Sequence, residues 1–327
     1  MVKLPNKLDY LCLQGLFADL DATRDDEDVT VDFSRLGYAT PTGILVAGSK
    51  LREWVNYRHA CGYMSASQGV KSTHAVHSYL KHLGFFDFIG MDEGNRVGEA
   101  RGGPTYIPIT RISRPNIDVS SASLEEWYAA IEEEARHVAG VLAGSFDDSQ
   151  ALRTYTYSIR EVIRNVFEHS QAAECFIFAQ RWADGSAEIA IVDEGVGIAH
   201  TLSESHGVAT DADALALACR PGISRTSGRT GEENVYDNSG FGLYILSELA
   251  ASFGWFMLGS GTAGVWGRLQ ARVVGDVSFR GTFFSMKLTT TPNDMGSVLR
   301  DIIEAGEREA QLAGIQTRAS GRSRIVR

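Results

Sequence analysis

Four short stretches of this chain carry residue types whose spacing suits chemistry. In the apolar-periodic segment 159–169, Glu161, Asn165 and Glu168 stand at i, i+4 and i+7, adjacent on one helical face beside a stripe of Val162, Ile163, Val166 and Phe167. An ordinary solvated helix face has the same pattern, because Glu and Arg are normal helix formers. Asn165 tilts the balance. Asn is a poor interior helix residue, yet its amide oxygen is a hard ligand suited to Mg2+, and Glu161 one turn earlier is spaced to polarise a water. The second stretch, Asp193-Glu194-Gly195-Val196-Gly197-Ile198, follows the strand-like Ile189-Ala190-Ile191-Val192. A carboxylate leaving a buried strand can accept a hydrogen bond from an exocyclic amine, and two glycines let a flat base approach the backbone. A glycine turn with a capping aspartate reads the same way.

The third stretch, Ser239-Gly240-Phe241-Gly242-Leu243-Tyr244-Ile245, sets two glycines ahead of an apolar-periodic helix. Unpaired N–H groups and the positive end of that helix make a seat for phosphate. In the fourth, Gly281-Thr282 precedes the apolar strand 283–288, where the threonine hydroxyl can bond a base or an ordered water. Each is a weak signal alone. In this order, ExxxN on a helix, DxGxG after a strand, GxG before a helix and GT on a late strand, they resemble the GHKL (histidine-kinase-like, Bergerat-fold) ATPase domain of gyrases, histidine kinases and mismatch-repair proteins. The resemblance covers about residues 150 to 290.

That resemblance implies a Bergerat-type ATP-binding domain, a mixed sheet with helices on one face, and ATP and Mg2+ as cofactors. It implies Glu161 as the catalytic, water-activating glutamate and Asn165 as the Mg2+ ligand. Asp193 would read adenine, with Gly195, Gly197 and Ile198 forming the base-side loop and Thr282 lying on the adenine side. Gly240, Phe241, Gly242 and Leu243 would form the triphosphate loop. Residues 200–238, rich in Gly, Ser, Thr and charge, would be the lid; Arg225 and Arg229 within it either reach phosphate oxygens or stay solvated. Gyrase-like members complete their site with a lysine from a following domain, and little chain follows Thr290, so slow hydrolysis is expected. The resulting expectation is an ATP- and Mg2+-dependent switch, with slow hydrolysis coupled to lid closure and to association with a protein partner or a second copy. A protein kinase acting on Ser, Thr or His and a non-hydrolysing nucleotide scaffold remain open. His137 lies on a helix ahead of the domain but is followed by Val138 and Ala139, not by the acidic pattern of histidine kinases.

The elements that must position these residues read as an α+β order. A helix over 152–170, strands over 173–182 and 187–193 joined at Asp184-Gly185, a helix over 241–253 and strands near 255–258, 267–274 and 283–288 are predicted. Asp-Gly between two apolar runs is a strong hairpin signal, so part of the sheet is antiparallel. Upstream, the strand 29–33 and a helix opening at Pro41, in Thr40-Pro41-Thr42-Gly43-Ile44-Leu45, resemble the STAS domain of anti-sigma-factor antagonists over about residues 8 to 90. In that family a hydroxyl in the corresponding Asp-Ser-Ser-Gly stretch is phosphorylated. Thr42 keeps a hydroxyl, but the acidic residue is missing and a proline intrudes, so helix capping or packing is the default. A further helix over 73–83 and a strand over 106–112 complete this part. The divisions expected are a STAS-like regulatory module over 1–119, a connecting helix within 120–149, the ATP-binding domain over 150–292, and a C-terminal helix with a basic tail over 293–327.

A length of 327 residues exceeds what one core usually organises, in keeping with two domains. Acids outnumber bases 41 to 31, concentrated in residues 120–310, which removes the cationic field that non-specific nucleic-acid binding needs. Any phosphate must therefore be held locally. Arg318, Arg322, Arg324 and Arg327 make the end basic. Cys12, Cys61, Cys175 and Cys219 form no CxxC pair or Cys/His cluster, no signal-like apolar segment opens the chain, and no apolar run approaches the roughly 18 residues a bilayer requires. A cytoplasmic protein without membrane contact is expected. Two motifs are decoys: residues 43–50 lack the hydroxyl that a P-loop sets after its lysine, and the GxGxxG at 259–264 leads into strand-like residues instead of a helix.

Overall fold

The computed structural model describes residues 1–113, 121–223, 240–290 and 294–315. The first part contains β1 (Val2–Lys3), β2 (Lys7–Leu8), α1 (Leu13–Ala22), β3 (Asp28–Asp32) and β4 (Tyr38–Ala39). A π-helical segment, Gly43–Ala47, then runs into α2 (Gly48–Ala60), followed by β5 (Met64–Gln68), α3 (Ala75–Leu83) and α4 (Phe85–Phe88). Strands β1, β3 and β5 form a parallel sheet in the order β1-β3-β5, and β2 pairs with β4.

The second part contains β6 (Tyr106–Ser113), α5 (Ser121–Ala143), α6 (Gln150–His169), β7 (Glu174–Arg181) and β8 (Ala187–Asp193). It continues with α7 (Ile198–His206), α8 (Asp211–Ala218), α9 (Gly242–Phe253), β9 (Gly254–Arg268), β10 (Ala271–Leu288) and α10 (Met295–Leu312). Its five strands run in the order β6-β7-β8-β10-β9, every neighbouring pair antiparallel. The chain is thus a mixed α and β structure with both parallel and antiparallel sheets. The Asp184-Gly185 hairpin joins β7 to β8 as expected, with Gly185 at φ 84° and Asp184 accepting the Ser186 amide at 2.9 Å.

Two expectations are corrected. The strand over 106–112 pairs with β7 and is the edge of the large sheet, so hydrogen bonding does not follow a boundary at residue 119. The run 267–274 is not a separate strand but the tip of the β9–β10 hairpin. Its turn is made by Leu269 and Gln270, at φ 51° and 60°, without the glycine or asparagine that usually marks such a turn.

The large sheet is covered on both faces. Strands buried on both sides read as continuous apolar runs, and Cys175-Phe176-Ile177-Phe178-Ala179 is one. Ile177, Ile189, Ile191, Phe284 and Met286 join the core that α5, α6 and α9 fill with Val138, Ile163 and Leu249. On the other face, Phe176, Phe178, Ala190, Val192 and Phe283 share a core with Ile44, Leu45, Trp54 and Phe88 of the N-terminal part. Helices on one face alone were expected; here the N-terminal module occupies the second. The contact is aromatic, with Phe88 and Phe176 centroids 4.8 Å apart and Tyr10 and Trp255 at 4.3 Å.

Candidate functional site

Alternation along β8 settles where its end points. Ala187, Ile189 and Ile191 face the helices, so Asp193 emerges on that same side, at the mouth of the core. The β8–β10 register sets Asp193 directly opposite Thr282, which brings together two residues 89 positions apart in the sequence. Asp193 is only 2% exposed, and burial pushes its carboxyl up to about 7. The Gly195 amide, donating to Oδ1 at 2.9 Å, and the Ser170 hydroxyl pull in the opposite direction without offsetting the burial.

The following loop needs its glycines. A Cβ on Gly195 would lie 2.1 Å from the Ser170 carbonyl oxygen, and Gly197 adopts φ 83° with Ser260 Oγ 2.7 Å from where its Cβ would be. Ser260 is a site residue that sequence reasoning missed. Its hydroxyl donates to the Gly281 carbonyl at 2.7 Å and accepts from the Ile198 amide at 3.0 Å, with Thr282 Oγ1 at 3.5 Å. It thereby ties the start of α7 to the β9–β10 pair. Nothing local marks Ser260; its role comes from the register of β9 against β10.

The other wall is α6, whose N-cap Ser149 accepts the Leu152 amide at 3.2 Å. Asn165 is half-buried and lines the cleft. Glu161, one turn earlier, is 1% exposed and is not among the cleft-lining residues. Its carboxyl group accepts the Tyr157 hydroxyl and the amide of Gly242, the first residue of α9, and so occupies that helix start. The water-polarising role expected of Glu161 therefore requires a rearrangement that frees its carboxylate. The side chains of Glu168 and His169 lie outside the described residues, as do Arg225, Arg229 and the rest of 224–238, whereas residues 200–223 of the expected lid carry the rest of α7 and all of α8.

Between these elements lies a cleft of about 840 Å³, part of it open to solvent. Val162, Val166, Ile198, Leu202, Leu243, Leu258 and Phe284 give it apolar walls. Asn165, Ser170, Asp193, Thr201 and Thr282 are its polar points, with Gly197 and Gly240 on its rim. Of the residues singled out from the sequence, Asn165, Asp193, Gly197, Ile198, Gly240, Leu243 and Thr282 thus converge on one space. Gly195 shapes the turn behind Asp193. Phe241 does not reach the cleft: it is fully buried and packs edge-on against Tyr244, centroids 6.2 Å apart. An apolar slot with one buried carboxylate at its base and a helix N-terminus at its rim suits a flat heterocycle carrying anionic groups.

Among the described residues no three His, Cys, Asp or Glu side chains cluster to hold a metal ion. Asn165 offers a hard amide oxygen from the α6 wall of the cleft. That donor set fits Mg2+ carried in on phosphates, which keeps most of its ligands as water and phosphate oxygen, and does not fit an all-protein cage.

The remaining sequence candidates lie elsewhere. Thr42 is fully buried between the two parts, its amide donating to Glu188 Oε1 at 3.0 Å, so its hydroxyl is closed to an external kinase in this conformation. His137 is exposed on α5, its ring centroid 5.9 Å from that of Phe146. Lys50, the P-loop decoy, is buried and paired with Asp21 at 2.6 Å. Among the described residues no helix is long and apolar enough to cross a membrane. No family model matches the chain, and no curated protein matches it.

Proposed function

We propose that this chain binds ATP with Mg2+ in the cleft between α6, β8, β10 and α9, and works as a nucleotide-driven switch with slow hydrolysis. The observation that carries the reading is Asp193. A carboxylate kept 2% exposed at the base of an apolar cleft is costly to the fold, and recognising an amine-bearing base is a reason to keep it. Thr282 across the strand pair adds a hydroxyl beside the base, and Gly240 and Leu243 line the cleft where phosphate oxygens would lie, the Gly242 amide being held by Glu161. Asn165 would hold the metal, whose chemistry when bound is to neutralise phosphate charge. On this reading the second part is a Bergerat-type domain of the GHKL class and the first a STAS-like module.

Glu161 favours a switch over fast turnover. A carboxylate already accepting from Tyr157 and Gly242 is not poised on a cleft water. The experiment incubates the full chain with γ-labelled ATP and Mg2+ and follows free phosphate and protein-bound label together. Slow phosphate release without labelled protein supports the switch, and label on the protein would replace it with a kinase. Bound nucleotide with neither product leaves a scaffold.

A further inference from the structure

β8 presents different chemistry on its two faces. Asp193 opens on the cleft, while Glu188, Ala190, Val192 and the next residue beyond the strand, Glu194, face the N-terminal module. At one end of the strand Glu188 receives the Thr42 amide at 3.0 Å. At the other, Glu194 Oε1 accepts the Ser49 hydroxyl at 3.1 Å and lies 3.8 Å from Arg52 Nε. Ser49 and Arg52 both belong to α2.

Arg52 is itself held in place. Its guanidinium lies over the rings of Phe176 and Phe88, 5.1 and 5.3 Å from their centroids, and its NH2 group reaches Glu174 at 3.4 Å. Glu194 is the residue between Asp193 and Gly195, within the turn whose 2.9 Å hydrogen bond orients the Asp193 carboxylate. A shift of the Glu194 peptide therefore moves that carboxylate. The link also borders open space: a hollow of about 760 Å³, part of it open to solvent and lined by Ser49, Glu53, Glu194 and Arg280, lies beside it.

We propose that Ser49 and Arg52 are positioning residues for the Asp193 turn, acting through Glu194. Through this link the N-terminal module sets, and senses, base recognition in the cleft. The proposal rests on the nucleotide reading above. Nucleotide binding that tightens the Asp193–Gly197 turn strengthens the hold of α2 on Glu194, and by reciprocity a ligand that pulls α2 away weakens base binding.

The test measures Mg-ADP and Mg-GDP binding to the full chain and to Arg52→Ala, Glu194→Ala, the double variant, Arg52→Lys and Ser49→Ala. Arg52→Ala and Glu194→Ala should each weaken ADP binding about threefold to tenfold, as expected for a half-exposed charged link, with GDP binding unchanged. The double variant should be no weaker than either single one, because both remove the same link. Arg52→Lys should recover part of the loss, and Ser49→Ala should give a smaller one. A merely structural role would lower ADP and GDP binding together, and that result overturns the proposal. Folded variants that bind ADP like the unsubstituted chain, or losses that add in the double variant, also overturn it. An unsubstituted chain that binds no nucleotide overturns the functional reading itself, a different outcome from either of these.

Discussion

Replacing Asp193 with asparagine separates the cost of this residue to the fold from its use in the cleft. Burial raises its carboxyl from the ordinary 3.8 to about 7, a shift corresponding to about 4 kcal/mol between the two protonation states. Because the folded value lies above the unfolded one, the stabilisation is complete below about pH 4 and is lost as pH rises through about 7. Near pH 8 the native chain bears that whole cost. A neutral asparagine side chain at this position would not, while its oxygen can still accept the Gly195 amide. Asp193→Asn should therefore unfold at a higher temperature than the native chain near pH 8, by the equivalent of about 2 to 4 kcal/mol, with the difference vanishing near pH 4. Binding should move the opposite way, the variant losing about tenfold or more in ADP affinity near pH 8 with its charged acceptor. In the native chain the carboxylate is about nine-tenths ionised near pH 8 and about one-tenth near pH 6, so ADP affinity should fall about tenfold between them. Asp193→Asn should lack that step and keep only the ligand's own titration. Thermal unfolding by circular dichroism and calorimetric titration across this range measure both quantities. A variant that is less stable near pH 8, or that binds ADP as tightly as the native chain, refutes the reasoning.

Three other perturbations probe the surrounding structure. Glu161→Ala should abolish phosphate release without weakening ADP binding, since it frees the Gly242 amide for a phosphate oxygen; coupled phosphate detection and calorimetry read the two effects. Ser260→Ala leaves the Ile198 amide and Gly281 carbonyl without their shared partner and should cost about 1 to 3 kcal/mol in denaturant unfolding. Phe176→Ala empties the aromatic contact between the module and the sheet and should cost about 3 to 5 kcal/mol. Probes in the N-terminal part and in the large sheet should then shift together, because they share one core.

Local patterns carried much of this architecture. Helical periodicity located α6 and α9 to within two residues, and Asp-Gly marked the β7–β8 turn. What escaped was set by partners distant in the sequence. The strand over 173–182 was legible, but nothing nearby said that α2 and α4 cover the second face of its sheet. β6 was grouped with its sequence neighbours because strand pairing is not a local property. The β9–β10 turn was hidden because Leu269 and Gln270 are unusual at positive φ. Glu161 and Asn165 do lie one turn apart on α6, as spacing required. The approach of α9 then buries the first and leaves the second open to the cleft, which no helical pattern encodes.

The central claim, adenine nucleotide held with Mg2+ in this cleft, is tested most directly by calorimetric titration of the full chain with ATP, and with GTP, each in the presence of Mg2+. The account predicts saturable binding of one ATP per chain, weakened when Mg2+ is chelated, with GTP bound far more weakly. Absence of binding at millimolar ATP, or equal binding of the two nucleotides, would contradict it.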